Sequence, residues 1–202
     1  MHPRLFICGM QKKRIAILAS GRGSNAKAIL DYSNQHNASF EVSLIVSNRK
    51  NAGVFNLSEE YNIPSLVLRR EAFYNTEAFL SVLNEHRIDM IVLAGFLWLV
   101  PSYLVVAFPQ RILNIHPALL PKHGGKGMYG KHVHKAVIEA DESVSGITIH
   151  YVDTSYDEGN IIFQAQCELD SSYDAGDVAQ RVLVLEHDFY PRVVNGVSSR
   201  LS

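Results

Sequence analysis

Short apolar runs of strand length alternate with helical segments along this chain of 202 residues, and this alternation restricts the fold more than any other feature. Such runs are typical of strands that are buried on both faces of a parallel sheet. They lie at residues 14–19, 40–47, 64–68, 90–94 and 111–115. Because crossovers between parallel strands are right-handed and cover the sheet, we predict a mostly parallel sheet with helices on both faces.

Helical patterns occupy the intervals between these runs. The predicted helices lie at residues 24–32, 54–61, 75–86, 101–107 and 132–140, and a long last helix ends near residue 194. Asn75 or Thr76 is expected to cap the third helix and Asp174 the last, because short polar side chains accept hydrogen bonds from the first helical N–H groups. Pro101 suits the first position of its helix.

Two further runs, at residues 146–152 and 160–168, look like a pair of neighbouring strands. Their position after the parallel series predicts that one edge of the sheet is antiparallel. The predicted fold class is therefore α/β, with a Rossmann-like, mostly parallel twisted sheet and an antiparallel edge. Ligands of such sheets bind beyond the carboxyl ends of the strands.

The composition favours one intracellular domain. Hydrophobic residues make up 47% of the chain, which is enough for a substantial core. The formal net charge of −1 gives no field that would attract nucleic acid or an anionic membrane, so neither is an expected partner. Cys8 and Cys167 form neither a disulfide framework nor a metal-type spacing, which favours a reducing, cytoplasmic location.

Residues 1–12 precede the first predicted strand. Their one apolar patch, at residues 5–8, is too short for a signal sequence or a membrane span. We interpret this segment as a leader, either disordered or an artefact of the assigned translation start. Residues 13–202 are assigned to a single domain.

The end of the fifth predicted strand carries an amide and an imidazole. Asn114 and His116 are two positions apart, so they point to the same face of the strand, and Pro117 then ends it. An amide beside a titratable imidazole suits the stabilisation of an oxyanion together with movement of a proton. A strand-ending asparagine and a hydrogen-bonded turn histidine are the alternative interpretation.

A glycine turn follows the first predicted strand, at residues 20–25. Gly21 and Gly23 let backbone N–H groups approach a ligand, and Ser24 and Asn25 add side chains at a helix N-terminus. This arrangement is typical of phosphate monoester sites. It lacks the Lys-Ser/Thr pair of a P-loop and the third glycine of a dinucleotide fingerprint. A capped glycine turn without a ligand is the alternative.

Polar side chains also follow the antiparallel pair of strands. Thr148 and His150 share one face of their strand, and Asp157 lies in the loop beyond it. A carboxylate near His116 could fix its tautomer and stabilise its cation. Asp153 and Glu158 are equally placed along the chain, so spacing does not choose among the three carboxylates.

Four segments carry a resemblance to a known family. They are Ser20-Gly21-Arg22-Gly23-Ser24-Asn25, Leu93-Ala94-Gly95-Phe96, the run from Asn114 to Pro121, and Asp157-Glu158-Gly159. Apart from its first dozen residues the chain resembles the folate-dependent formyltransferases. The glycine turn and the segment from Glu186 to Pro191 make it similar to the phosphoribosylglycinamide formyltransferases within that family.

The resemblance implies a formyltransferase fold and an activity. Such enzymes pass the formyl group of 10-formyltetrahydrofolate, a co-substrate, to the amine of glycinamide ribonucleotide in purine synthesis. The implied catalytic residues are Asn114, His116 and Asp157. The resemblance implies no metal, and the chain is expected to be a monomer or a weak homodimer.

The resemblance also implies two binding regions. Gly23, Ser24 and Asn25 would hold the phosphate, and Glu186 the ribose hydroxyls, of the ribonucleotide. The folate would lie against an apolar region and the wall of a loop, made of Phe96, Leu97, Trp98, Leu99, Val100, Val152 and Asp153.

The chain departs from the family pattern at two places. Trp98 stands where many members carry arginine, which affects the expected contact with the folate tail. The loop at residues 122–131 is longer than in many relatives, and its lysines and glycines suit a lid near an anionic substrate or a loop without a role. His132, just after that loop, is a weaker site candidate.

Other functions use similar residues. A formyltetrahydrofolate hydrolase or a sugar N-formyltransferase would employ the same catalytic set, but the sugar enzyme has no need of a phosphate turn. A methionyl-tRNA formyltransferase would need an RNA-binding domain and a basic surface. A nucleotide-binding or zinc-binding module is the non-enzymatic alternative, and the nine histidines include the pair His132 and His134.

Overall fold

A seven-stranded sheet forms the centre of the protein. The computed structural model describes residues 11–201, so the predicted leader lies outside the described residues apart from its last two positions. The strands are β1 (Lys13–Leu18), β2 (Phe40–Ser47), β3 (Ser65–Val67), β4 (Met90–Leu93), β5 (Ile112–His116), β6 (Val144–Tyr151) and β7 (Ile161–Glu168). Their order in the sheet is β3-β2-β1-β4-β5-β6-β7.

Seven helices connect the strands within the described part of the chain. They are α1 (Ser24–Gln35), α2 (Val54–Glu60), α3 (Arg70–Tyr74), α4 (Ala78–Glu85), α5 (Ser102–Ala107), α6 (Lys131–Glu139) and α7 (Ala175–Ser198). Buried side chains of α1, α2, α6 and α7 form one apolar cluster with the sheet. Those of α3, α4 and α5 form a second cluster. Helices therefore cover both faces, as predicted.

The pairing of the strands confirms the mixed sheet. β1 runs parallel to β2 and β4, β2 to β3, and β4 to β5. β6 is antiparallel to both β5 and β7. The carboxyl ends of β1, β4 and β5 thus meet at one edge, beside the point where the strand direction reverses. None of the helices within residues 11–201 is long and apolar enough to cross a membrane.

The region between β3 and β4 differs from the prediction. The predicted helix at residues 75–86 begins only at Ala78, and the separate helix α3 precedes it. Glu77, and neither Asn75 nor Thr76, occupies the N-cap. The Thr76 hydroxyl, one position before the N-cap, donates to the Ala72 carbonyl at 3.2 Å and accepts from the Ala78 N–H of α4 at 3.4 Å. Phe73 is fully buried, and its burial holds α3 in place.

Smaller differences concern the ends of other elements. Pro101 is the N-cap of α5 and precedes the first helical residue. β5 includes His116, and α7 continues four residues beyond the predicted end, to Ser198. Asp174 caps α7 as predicted, and it forms a capping box with Asp177.

A buried tyrosine fixes the long helix against the sheet. The hydroxyl of Tyr190 in α7 is shared between two carbonyl oxygens, those of Leu93 (2.9 Å) and Leu113 (3.2 Å). These carbonyls belong to the last residue of β4 and to the second residue of β5. α7 therefore has a fixed position over the edge of the sheet at which the polar residues gather.

Candidate active site

One cavity of about 1200 Å³ opens at the carboxyl ends of β1, β4 and β5. Its walls come from the glycine turn, the segment after β4, the end of β5, the loop before α6 and one side of α7. Two hydrogen bonds join the first two walls. The Ser20 N–H donates to the Gly95 carbonyl, and the Leu97 N–H donates to the Ser20 hydroxyl, each at 3.0 Å.

The glycine turn adopts the conformation that only glycine accepts easily. Gly23 is the N-cap of α1 with φ of 85°, in the left-handed region. A Cβ added there would lie 2.9 Å from Cγ2 of Val54. The first N–H groups of α1, including those of Ser24 and Asn25, therefore lie at a helix N-terminus that borders the cavity.

Asn25 and Glu186 form a buried pair between α1 and α7. The Asn25 Nδ2 donates to Oε2 of Glu186 at 2.9 Å, whereas Oδ1 of Asn25 is enclosed and has no hydrogen-bond partner among the described residues. Glu186 is 9% exposed. Burial raises the pKa of Glu186 to about 7, although the Asn25 hydrogen bond opposes the rise. Both side chains line the cavity.

His116 is held at both ring nitrogens. Its Nε2 lies 2.8 Å from the carbonyl oxygen of His123, which can only accept, so Nε2 carries the proton. Its Nδ1 lies 3.4 Å from Oδ2 of Asp157. Burial lowers the pKa of His116, and the Asp157 charge opposes that effect. The ring is therefore neutral near pH 7, and Nδ1 is the nitrogen that can take up a proton.

Asp157 lies at the centre of a polar cluster that also contains Asn114, His116 and His150. Its backbone has φ of 58°, a left-handed conformation that aspartate tolerates better than most residues. The Gly125 N–H donates to its Oδ2 at 3.0 Å. Burial alone would raise the pKa of Asp157, but His150, the charge of His116 and the Gly125 N–H together lower it. The carboxylate is therefore ionised.

Asn114 donates both of its amide hydrogens to protein acceptors. His150 Nδ1 donates to the Tyr151 carbonyl at 2.8 Å, which leaves His150 Nε2 to accept from Asn114 Nδ2 at 3.1 Å. The second Asn114 hydrogen bond, to Oδ1 of Asp157, is longer at 3.4 Å. These contacts fix the orientation of the amide.

A threonine holds the chain that follows His116. Thr148, fully buried, is the register partner of His116 on β6. Its hydroxyl donates to the Ala118 carbonyl at 2.7 Å and accepts from the Leu120 N–H at 2.9 Å and from Gln164 Nε2 at 2.8 Å. The turn after β5 is thereby tied to the antiparallel edge of the sheet.

The predicted folate-binding residues divide into two groups. Those that line the cavity are Phe96, Leu97, Trp98, Leu99, Val100 and Val152. Asp153 is not among the lining residues, because its carboxylate accepts from the Ser155 N–H at 2.8 Å and shapes the loop turn. The loop instead contributes Ser155 and Tyr156 to the cavity wall.

Trp98 belongs to an aromatic cluster at the apolar end of the cavity. Its ring packs on those of Phe73, Tyr74 and Phe96, with centroids 5.7 to 6.0 Å apart. The guanidinium of Arg70 lies over the Trp98 ring, 5.5 Å from its centroid. The tryptophan is therefore fixed by packing.

The long loop predicted at residues 122–131 forms one wall of the cavity from Gly125 onward. Four basic side chains line the cavity and form no ion pair within residues 11–201: Arg22, Arg49, Lys126 and Lys131. The Lys122 ammonium, in contrast, is paired with Glu142 at 2.9 Å. The cavity therefore has a positive field that favours anionic ligands.

Two histidines at the site were not identified from the sequence. His150 was noted without a role, and its contact with Asn114 depends on the β5–β6 register, in which the two residues are partners. His134 lines the cavity and is buried, whereas the predicted candidate His132 is exposed and packs on Tyr129. The apolar positions Val133 and Val137 of α6 could have indicated that His134 faces inward.

Metal ligands do not cluster in the described part of the chain. Within residues 11–201 no group of three or more histidine, cysteine, aspartate or glutamate side chains is placed to hold a metal ion.

Comparison with known proteins gives a family match over most of the chain. Residues 13–194 match the family described as Formyl transferase. The chain is 40% identical to phosphoribosylglycinamide formyltransferase, chloroplastic, of Arabidopsis thaliana, over 93% of this chain and 66% of that protein. It thus spans just under two thirds of the plant relative.

A bacterial relative and a solved structure match over nearly their full lengths. The chain is 35% identical to phosphoribosylglycinamide formyltransferase of Bacillus subtilis (strain 168), over 90% of this chain and 93% of that protein. The crystal structure of phosphoribosylglycinamide formyltransferase from Anaplasma phagocytophilum superposes with a TM-score of 0.85 at 32% identity. That match covers 94% of this chain and 88% of the other.

Proposed function

The chain belongs to the formyl transferase family, and we propose that it transfers the formyl group of 10-formyltetrahydrofolate to the amine of glycinamide ribonucleotide, a step of purine biosynthesis. The observation that carries this proposal is one continuous cavity that joins a phosphate-type turn, a polar cluster and an apolar end. A transfer between two substrates needs both binding regions to border the reacting groups.

In this proposal the ribonucleotide phosphate binds at the N-terminus of α1, to Gly23, Ser24 and Asn25. The positive helix end favours a dianion there, as do the side chains of Arg22 and Arg49, which form no ion pair in the described part of the chain. Glu186 accepts hydrogen bonds from the ribose hydroxyls. The enclosed Oδ1 of Asn25 supports the assignment, because a buried acceptor without a donor is costly unless a ligand supplies one.

The folate occupies the apolar end in the same proposal. Phe96, Leu97, Leu99, Val100 and Val152 surround the pterin, and Trp98 forms the outer wall towards the folate tail. Apolar walls with a few polar groups are typical of sites for cofactors of this size. The polar cluster around Asp157 then lies between the two bound molecules.

The chemical step proceeds through a tetrahedral adduct. The amine nitrogen of the ribonucleotide forms a bond to the formyl carbon, and the carbonyl electron pair moves to oxygen. Asn114 stabilises this oxyanion by a hydrogen bond, and His116 stabilises it by its positive charge once Nδ1 has taken up a proton. The longer hydrogen bond of Asn114, to Asp157, is the one that is more easily exchanged for a contact with the oxyanion. Collapse of the adduct breaks the bond to the folate nitrogen.

A proton must pass from the attacking amine to the departing folate nitrogen. His116 Nδ1 can receive it, because Nε2 is already engaged with the His123 carbonyl. Asp157 faces Nδ1 and stabilises the resulting cation, and with a water molecule it returns the proton to the leaving nitrogen. Once the proton has reached the folate nitrogen, His116 and Asp157 together carry the same charge as before the reaction.

A spectrophotometric assay with a stable 10-formyl folate analogue tests the proposal. We expect release of the deformylated folate only when glycinamide ribonucleotide is present. Release without the ribonucleotide would indicate the hydrolase, and release with an amino sugar nucleotide in its place would indicate the sugar N-formyltransferase. If the folate is not released under any of these conditions, formyl transfer is refuted.

Other expectations remain predictions alongside this function. They are a single domain over residues 13–202, a cytoplasmic location, a monomer or weak homodimer, catalysis without a metal, and no nucleic-acid or membrane partner. The name of the Arabidopsis protein includes the word chloroplastic, whereas the name of the Bacillus subtilis protein gives no location.

A further inference from the structure

α6 carries a buried histidine, and one of its ring nitrogens has no hydrogen-bond partner within residues 11–201. His134 is 6% exposed, and its Nδ1 is enclosed without a hydrogen-bond partner among the described residues. Buried polar side chains almost always have partners, and an unsatisfied one costs about 1–3 kcal/mol. Its neighbours Val133 and Val137 show that an apolar side chain suits this face of α6. The imidazole at this position therefore lowers the stability of the fold, which favours a role for it in the cavity that it lines.

The histidine shares its cavity with the polar cluster. His134 lines the same cavity as Asn114, His116 and Asp157. Burial lowers the pKa of His134, and a positive charge on His116 would lower it further. The ring of His134 is therefore neutral near pH 7.

The neutral ring presents a hydrogen-bond donor. A buried N–H without an acceptor is rarer than a buried acceptor without a donor, so the enclosed Nδ1 is the unprotonated nitrogen. The proton then resides on Nε2, and we infer that Nε2 faces the cavity that His134 lines.

The cluster itself is short of donors. Both Asn114 hydrogens are donated to protein acceptors, and the His116 Nε2 proton is donated to the His123 carbonyl. The oxyanion of the adduct would have to displace one of these bonds. A donor that has no competing protein acceptor binds the oxyanion without that loss.

We propose that His134 is a further catalytic residue, whose Nε2–H donates to the formyl oxygen as that oxygen becomes negative in the adduct. This role rests on the proposed formyl transfer. It adds one donor to that of Asn114 and requires no change in the number of protons at the site.

Three substitutions at this position test the role. His134→Leu removes the donor, His134→Asn reaches only as far as Nδ1, and His134→Gln carries an amide N–H near the position of Nε2. We expect kcat to fall about 100-fold or more in the Leu and Asn variants, as for loss of an oxyanion donor. The Gln variant should stay within about tenfold of wild type, and both KM values should change little.

Thermal unfolding separates catalysis from structure. Because leucine removes an unsatisfied buried group, His134→Leu should unfold at a temperature no lower than wild type. His132→Leu is the matched control, since this exposed histidine lies on the same helix and outside the cavity wall, and its kcat should be unchanged.

The outcomes distinguish this inference from the proposed function. Wild-type kcat in His134→Leu, or a Gln variant as slow as the Leu variant, would overturn the role of His134 while formyl transfer by the wild-type chain stands. A fall in the unfolding temperature of His134→Leu that accompanies the fall in kcat would show a structural role, and it would also overturn the role of His134. If the wild-type chain transfers no formyl group, the proposed function and this inference fail together.

Discussion

Asp157 Oδ2 lies 3.4 Å from Nδ1 of His116, the one ring nitrogen of His116 that is not already bonded to a protein carbonyl. The carboxylate thus faces the position at which a proton would arrive. Burial keeps the imidazole neutral, and the carboxylate lowers the cost of its cation. The geometry and the electrostatics therefore both indicate that His116 takes up a proton at Nδ1, on the side that faces Asp157.

Substitution of Asn114 tests the amide in the cluster. Asn114→Ala removes both hydrogen bonds, to His150 and to Asp157, and the donor proposed for the oxyanion. We expect kcat to fall about 100-fold or more, because one such donor contributes a few kcal/mol to the transition state. Steady-state kinetics measure this, with Asn160→Ala, in the exposed loop before β7, as the control. An equal fall in both variants would contradict the assignment.

Two glycines of the glycine turn at residues 20–25 offer a matched comparison. Gly23→Ala places a Cβ 2.9 Å from Val54 at φ of 85°, whereas a Cβ on Gly21 meets nothing within 4 Å. Because the left-handed region costs an L-residue about 1–2 kcal/mol, Gly23→Ala should raise KM for the ribonucleotide about tenfold. Gly21→Ala should leave it unchanged, and neither change should affect KM for the folate. Equal KM values for the two variants would argue against phosphate binding here.

The buried carboxyl of Glu186 predicts a pH dependence of stability. In the unfolded chain the group ionises near its ordinary pKa of 4.5, whereas in the folded protein it keeps its proton up to about pH 7. Stability is therefore lost as pH rises from 4.5 to 7, by about 3 kcal/mol for a difference of about 2.5 between the two pKa values.

Glu186→Gln removes this dependence, because glutamine can still accept from Asn25 and does not ionise. Without added substrate, the variant should match wild type below pH 4.5 and exceed its free energy of unfolding by about 3 kcal/mol at pH 8. Chemical denaturation at both pH values measures the difference. A variant that is less stable than wild type at pH 8 would contradict the raised pKa of Glu186.

Thr148 offers a test of the turn after β5. Thr148→Val keeps the shape of the side chain but leaves the Leu120 N–H without its acceptor and the Ala118 carbonyl without its donor. It also removes one of the two hydrogen bonds that Gln164 Nε2 donates. We expect a loss of about 1–3 kcal/mol in the free energy of unfolding. Thr148→Ser keeps the hydroxyl and should lose less. If serine were the more destabilising of the two, the methyl group and not the hydrogen bonds would be holding the turn.

Much of the fold was predictable because it follows from local periodicity. The period of two places Asn114 and His116 on one face, and the alternation of strands and helices gives the parallel sheet. The caps of α4 were not predictable in this way. The Thr76 hydroxyl bonds to a carbonyl of the preceding helix and to the first N–H of α4, and a sequence pattern does not show that one hydroxyl will join two helices.

The site was predictable only in part, because long-range register and loop shape decide its contacts. Asp153, Asp157 and Glu158 were equivalent in sequence, yet Asp157 reaches His116, Asp153 closes its own turn and Glu158 is exposed. His150 meets Asn114 through strand pairing. Burial of Glu186 depends on how α7 packs against α1, which no local pattern specifies.

A single turnover with Asp157→Asn tests the central claim most directly. Asparagine keeps the size of the side chain and tolerates φ of 58°, but it cannot stabilise a cation on His116. With enzyme in excess over labelled 10-formyl donor and saturating ribonucleotide, we predict formyl transfer about 100-fold slower or more, with an unchanged unfolding temperature. Transfer within a few-fold of the wild-type rate would contradict the role of the Asp157–His116 pair.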